Sequence, residues 1–330
     1  MKSPYISDLK PDDAPVTGLF LVLSKDVRPK KSGDLFLSLT LADRSGEIDA
    51  KMWDNTADVI DTFERDQFIR VKGVVQVFQN RPQFTIHKLQ LVPDSEVDLA
   101  DFFPASKRNP AEMFAELRGH IAAMRNPYLQ RLLEALMDDP EIAAKFQRAP
   151  AAKTIHHAWL GGLLEHVLSL VQLGKFAAQH YPDIDPDLLL TGIVIHDIGK
   201  IEELSYERSF QYTDSGQLLG HLIIGLRMVD EKIRQIPDFP PRLRMLVEHL
   251  ILSHHGELEY GSPKVPVFLE ALLLHHLDNL DSKMETMRAA LDKDSRIDGN
   301  FSGYIPALER SALKKSRFLD PGLAPSRPAP

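Results

Sequence analysis

The chain has 330 residues, of which 43% are hydrophobic and 26% charged, a balance that fits a water-soluble protein large enough for two cores. It carries a net charge of −8 and no cysteine. Wholesale coating of nucleic acid, disulfide stapling and thiolate metal sites are therefore excluded, and a bound metal must rest on His, Asp and Glu. No apolar run is long enough for a transmembrane helix, and the opening MKSPYISDLKPDD lacks a signal core, so a cytoplasmic protein without a membrane partner is expected.

In chain order, residues 1–13 form an N-terminal extension without pattern. Residues 14–92 then read as short strands at 16–27, 34–43, 47–53, 68–78 and 82–92, each rich in β-branched and aromatic residues with period-two alternation. Lys31-Ser32-Gly33-Asp34, Arg44-Ser45-Gly46 and Gln79-Asn80-Arg81-Pro82 supply the turns. NTADVIDTFER at 55–65 is predicted helical. Five strands with one helix between the third and fourth is the order of an OB-fold barrel, a module that often binds single-stranded nucleic acid. The pattern LxLxDRSGEIxAxxW at 39–53 resembles the anticodon-binding type of this module. Lys25, Arg28, Lys30, Lys31, Lys51, Arg70, Lys72 and Arg81 are the candidate phosphate contacts, and Phe36 is a candidate stacking ring. Acidic residues nearly balance the basic ones over 16–92, and Trp53 is read as barrel core rather than platform.

Residues 93–111 carry three prolines and read as a linker. From Glu112 the pattern is helical, with helices predicted at 110–124, 127–137, 140–146, 156–180, 186–198, 215–235, 240–254, 265–292 and 305–316 and no strand signal. The proline-rich tail, 317–330, is expected to be disordered. The fold class is thus multidomain α and β: a small five-stranded OB-fold barrel at 14–92, then an all-α domain at 112–316.

Twelve of the 13 histidines lie after residue 100, and several interrupt apolar helix faces. The run LLLTGIVIHDIGK (188–200) delivers His196 and Asp197 to a helix end, about 100° apart around the axis, with Gly199 read as a left-handed cap. His166 sits beside Leu163, Val167 and Leu170, and His221 follows Gly220. His254-His255-Gly256 repeats the device of a helix ending in ligands, and Asp278 is surrounded by leucines, where burial is costly without a compensating cation.

The order H…HD…H…HH…D, with Lys200 three residues after the HD aspartate, resembles the HD superfamily of metal-dependent phosphohydrolases. The strings HHAWLGGLLEHVLSL, IHDIGKIEEL, YTDSGQLLGHL, LSHHGELEYGSP and LHHLDNLDSKM are similar to the YhaM-type 3′-to-5′ exoribonucleases, which join an OB module to an HD domain. The resemblance implies one ion held by His166, His196, Asp197 and Asp278, and a second reached through Asp197 and held by His221, His254 and His255. It makes Asp197 and Lys200 the catalytic pair, Lys200 facing phosphate. His275 and Asp281 are expected to orient Asp278, and His157 to lie within reach of the site. One or two divalent ions are implied, manganese first, with cobalt, iron, magnesium or zinc as alternatives.

The expected activity is 3′-to-5′ hydrolysis of single-stranded RNA, with single-stranded DNA as a further substrate class, by metal-activated water. One alternative is an HD-type nucleotide or cyclic-dinucleotide phosphohydrolase with a regulatory barrel. Another is a non-catalytic single-strand-binding protein, which would hold no metal.

Overall fold

A computed structural model describes residues 4–11, 15–30, 32–78, 81–152, 157, 159–205, 211–295 and 298–319. The chain divides into two compact units, the first running to Ala105 and the second beginning at Ser106. Among the described residues, no helix is long and apolar enough to cross a membrane.

The first unit is a closed barrel of β1 (Val16–Pro29), β2 (Leu35–Asp43), β3 (Gly46–Met52), β4 (Phe68–Phe78) and β5 (Arg81–Val92). The strand order is β1-β2-β3-β5-β4, with β4 returning to β1. β3 and β5 run parallel and the other neighbours antiparallel. Alternation places Leu37, Leu39, Leu41, Ile48, Ala50 and Met52 inside and leaves Phe36, Ser38, Thr40, Asp49 and Lys51 on the outer face of β2 and β3. Gly73 is required at the β4 bulge, because a Cβ there would lie 2.0 Å from the Thr85 carbonyl oxygen.

The helix predicted at 55–65 is absent; the segment forms turns. Asn55 takes a left-handed φ of 55°, and the Thr56 hydroxyl donates to the Leu35 carbonyl, anchoring the chain to β2. Val59, Ile60 and Phe63 then pack on the barrel core without a continuous helix. Part of the predicted linker also packs closely: Phe102 and Phe103 are buried, and the Phe102 ring meets Phe68 edge-on at 4.7 Å. Near the N-terminus, Ile6 donates its N–H to Asp43 and packs with Leu9 against the barrel core.

The second unit contains α1 (Pro110–Ala122), α2 (Pro127–Met137), α3 (Pro140–Arg148), α4 (Gly162–His180), α5 (Pro186–Ile195), α6 (Lys200–Glu203), α7 (Asp214–Arg234), α8 (Pro241–Ser253), α9 (Leu269–Lys293) and α10 (Lys315–Leu319). Asn109, Asn126, Asp139 and Asp185 each cap a helix whose first residue is proline, which fixes four starts in the sequence. α5 is apolar on nearly every side because α2, α4, α8 and α9 all pack on it. Gly192 brings it close to Leu250 and Leu274, 3.1 Å from where a Cβ would stand.

Three expectations fail in this unit. α4 starts at Gly162 rather than at 156, since Gly161 (φ 78°) and His157 (φ 49°) both take left-handed conformations; residue 156 lies outside the described residues. Strands do occur: β6 (Leu204–Ser205) pairs with β7 (Gln211–Tyr212), and β8 (Phe301–Ile305) with β9 (Arg310–Leu313). The β8–β9 hairpin replaces the helix predicted at 305–316. Ile305, Leu308 and Ala312 have helical spacing, yet the hairpin buries the same three against Met287, Ala290 and Leu291 of α9. Of the predicted tail, residues 317–319 belong to α10, and 320–330 lie outside the described residues.

Candidate metal centre

α4, α5, α7, α8 and α9 each send a histidine or aspartate to one place. His166 comes from α4, His196 caps α5, and Asp197 follows it. His221 stands just after a break in α7, where Gly220 takes φ 70° and ψ 160°, a conformation open essentially to glycine alone. His254 caps α8, and Asp278 lies within α9.

Asp197 occupies the middle. Its Oδ2 lies 3.4 Å from His196 Nε2 and 2.6 Å from the Lys200 ammonium, while its Oδ1 lies 3.5 Å from His221 Nε2 and 3.6 Å from His254 Nε2. On the His196 side, Asp278 Oδ1 stands 3.2 Å from His166 Nε2 and 3.9 Å from His196 Nε2. Ligand atoms of His166, His196 and Asp197 lie within 4.8 Å of one another, as do those of His221, His254 and His255.

Hydrogen bonds aim these rings. His196 donates Nδ1–H to the Ile193 carbonyl (2.9 Å) and His254 to the Ile251 carbonyl (2.8 Å); a carbonyl can only accept, so Nε2 carries the lone pair in both. His166 donates Nδ1–H to Asp281 at 2.8 Å. Glu203 Oε1 accepts from both the backbone N–H (2.9 Å) and Nδ1–H (3.1 Å) of His221.

The result is a set of buried atoms with no hydrogen-bond partner: Nε2 of His196, His221 and His254, Nδ1 of His255, and Asp197 Oδ1. Each such group ordinarily costs about 1–3 kcal/mol, and so many converging in one place is the mark of a cation site. The donor set, imidazole nitrogen and carboxylate oxygen without sulfur, suits a first-row divalent ion.

Electrostatics agree with that geometry. Burial pushes His255 down to about 3, with His254 and His221 adding to the effect, and burial likewise lowers His254. Both imidazoles are thereby kept neutral, as ligation requires. Burial works against charge on Asp197, but the Lys200 ammonium outweighs it and holds the carboxyl well below its usual range. Burial also depresses His166, yet its hydrogen bonds to Asp278 and Asp281 prevail and raise it to about 9.

Several predicted residues take other places. Asp281 binds His166 Nδ1, Ser169 Oγ (2.5 Å) and His157 Nε2 (3.3 Å) rather than Asp278, and His275 donates Nδ1–H to the His254 carbonyl at 2.9 Å. His157 is buried against Asp281. Gly199 has φ −63°, so it is no left-handed cap; a Cβ there would lie 2.1 Å from the His221 carbonyl oxygen and 2.6 Å from Gly225 N. Glu203 and Ser169 were not singled out as site residues, although both stand in the quoted strings.

A cleft of about 890 Å³ opens beside the cluster, lined by Asp197, Lys200, His254, His255 and Asp278 and also by α9 and the β8–β9 turn.

On the barrel, Trp53 is 40% exposed and stacks on Phe36 (centroids 4.6 Å, 24° between planes), which corrects its placement in the core. The Lys51 ammonium lies 5.8 Å from the Phe36 centroid. Arg70 and Lys72 are exposed on β4. Arg28 pairs with Asp26, and Lys30 with Asp54. Lys25 is the exception: its ammonium donates to the Phe63 carbonyl and Glu64 and lies over the Phe63 ring, so the barrel wall takes up its charge. Lys31 lies outside the described residues, as does the side chain of Arg81.

Residues 163–283 match the HD domain family, and residues 21–92 match the OB-fold nucleic acid binding domain family. The chain is 36% identical over 288 residues to the 3′-5′ exoribonuclease YhaM of Bacillus subtilis, covering 87% of this chain and 90% of that protein. It is 34% identical over 305 residues to the protein of that name from Halalkalibacterium halodurans, covering 92% and 94%. A solved structure similar to the barrel is the second OB-fold domain of replication protein A from Methanococcus maripaludis, at 22% identity and TM-score 0.23, covering 27% of this chain and 93% of that one.

Proposed function

The chain belongs to the YhaM family of 3′-5′ exoribonucleases, and on that premise we propose that it removes nucleotides from the 3′ end of single-stranded RNA. The reading rests on one observation above the others: buried imidazole and carboxylate atoms that converge without hydrogen-bond partners. His166, His196, Asp197 and Asp278 would hold one divalent ion, and Asp197 with His221, His254 and His255 a second. Manganese is the first candidate. Such ions, when bound, supply Lewis acidity and lower the pKa of water toward neutrality.

The protein's own groups do the rest. Asp197 faces both ligand sets through its two oxygens, which supports its role as their common member. Lys200 carries positive charge beside Asp197 on the cleft lining, where it would oppose the charge that builds on phosphoryl oxygens. Burial alone would lower the Lys200 amine, but Asp197 outweighs that and keeps it protonated. The carbonyls of Ile193 and Ile251, with Asp281 and Glu203, lock the rings so that little reorganisation accompanies turnover. On the barrel, Phe36 and Trp53 offer stacked aromatic faces and Lys51, Arg28, Arg70 and Lys72 offer charge, a combination suited to a single strand. Tethering that surface to the helical unit would raise the local concentration of the strand's end.

The test is a 5′-labelled oligoribonucleotide incubated with the metal-loaded protein. Stepwise shortening from the 3′ end, slowed by a 3′-terminal phosphate and abolished in Asp197→Ala with an unchanged circular dichroism spectrum, is expected. Internal cleavage, or full activity of Asp197→Ala in metal-replete buffer, overturns the proposal. The same ladder run on single-stranded DNA sets the sugar preference.

A further inference from the structure

The cleft has a wall that none of the proposed ion ligands occupies. It comes from α9 beyond Asp281 and from the β8–β9 turn, and brings Lys283, Met284, Met287 and Arg310 onto the lining. The hairpin lies past residue 283, where the match to the HD domain ends. It is a fixed element, since Ile305, Leu308 and Ala312 form a small core with α9.

Its charges are unspent. Arg310 donates Nε–H to the Leu308 carbonyl at 2.7 Å, which holds the guanidinium by one edge and leaves its terminal nitrogens for a ligand. Neither Arg310 nor Lys283 has an ion-pair partner among the described residues, although Glu309 is adjacent. Glu309 takes a left-handed φ of 53°, a backbone state that a non-glycine residue adopts only where its surroundings impose it. Leu280 and Met284, 49% and 46% exposed, add an apolar shelf to the same lining. Two cations beside an exposed apolar shelf fit a sugar-phosphate unit with its base.

Which unit follows from the chemistry of exonucleolytic cleavage, so this inference rests on the function proposed above. The scissile phosphate belongs at Lys200 and the ligand cluster. The 3′-terminal nucleoside carries no phosphate beyond the scissile one, so a second phosphate in the cleft must lie on its 5′ side. We propose that Arg310 and Lys283 grip that upstream phosphate, with Leu280 and Met284 packed under the neighbouring base. The β8–β9 hairpin is thereby a positioning element that makes the helical unit prefer oligonucleotides even apart from the barrel.

Dinucleoside monophosphates have only the scissile phosphate, whereas trinucleoside diphosphates have one more. The full-length wild-type protein is expected to turn over the trimer with the higher kcat/KM. Lys283→Ala and Arg310→Gln should each lower kcat/KM for the trimer roughly tenfold. Each should also flatten the dependence of RNA affinity on salt by about 0.7 in log–log slope. Turnover of the dimer and of bis(p-nitrophenyl) phosphate should stay as in the wild type, and Arg310→Lys should recover most of the loss. Lys283 is exposed on a helix, so its variant carries the test by itself if Arg310→Gln lowers the melting temperature. Equal losses on dimer and trimer, or no loss on either, overturn the subsite. A wild-type protein that hydrolyses the chromogenic ester but no oligonucleotide, or that trims from the 5′ end, overturns the exonuclease reading instead.

Discussion

Glu203 offers a sharp test of how the second ligand set is held. One oxygen of its carboxylate accepts both the backbone N–H and the ring Nδ1–H of His221, at 2.9 and 3.1 Å. Burial works against charge on Glu203, but these bonds to His221 outweigh it and keep the carboxyl lowered. Glu203→Ala leaves two donors without an acceptor and frees the ring to rotate. A hydrogen bond to a charged acceptor is worth about 1.5–3 kcal/mol. Loss of the ring bond alone then corresponds to roughly a 10–100-fold weaker hold on the ion, since each factor of ten is about 1.4 kcal/mol. Titration calorimetry of manganese into metal-stripped protein should show one binding step weakened by that factor and the other unchanged. RNA degradation should fall at limiting manganese and recover at saturating manganese. Glu203→Gln keeps an acceptor oxygen and should lose less than tenfold. Wild-type binding of both ions by Glu203→Ala would refute the positioning argument, and so would a Glu203→Gln variant as impaired as the alanine.

Three further outcomes are expected. Asp281→Ala removes the common acceptor of His157, His166 and Ser169, so the melting temperature should fall by an amount equivalent to about 1–3 kcal/mol, with weaker binding of the ion at His166. His166, raised to about 9, is protonated near neutral pH in the metal-free protein, and an ion must displace that proton. Metal affinity should therefore rise about tenfold per pH unit up to about 9 and then level off, with proton release visible as a dependence of binding heat on buffer. Trp53→Ala removes the exposed partner of the Phe36 stack and should raise KM for RNA by an amount equivalent to about 1–3 kcal/mol, leaving hydrolysis of a small phosphodiester unchanged.

Much of this was legible in the sequence because two periodicities are clean. β2 and β3 alternate along most of their length, and His166, His196 and Asp197 are polar residues in apolar stretches that helical packing then buries, with Asp278 half-buried among leucines beside them. What escaped is tertiary in origin. Gly199 looks like a helix stop, yet its reason is the backbone of α7 lying where a side chain would be. Glu203 sits in IEEL, which resembles a solvated helix end until the break at Gly220 turns the His221 N–H toward it. Ile305, Leu308 and Ala312 satisfy a helix and a hairpin equally, and only the apolar face of α9 decides between them. Trp53 continues the inward and outward alternation of β3 past its end, so parity would have placed it outside.

The contact of Gly199 with His221 and Gly225 has a consequence for how the centre keeps its dimensions. Main chain rests on main chain there, two residues from Asp197 and at His221 itself. The gap between the two ligand sets is thus gauged by rigid peptide units instead of by side chains that hop between rotamers. Such a spacer has no adjustable length, so α6 and α7 must shift together, and a methyl group at either glycine would act as a shim driven into the joint.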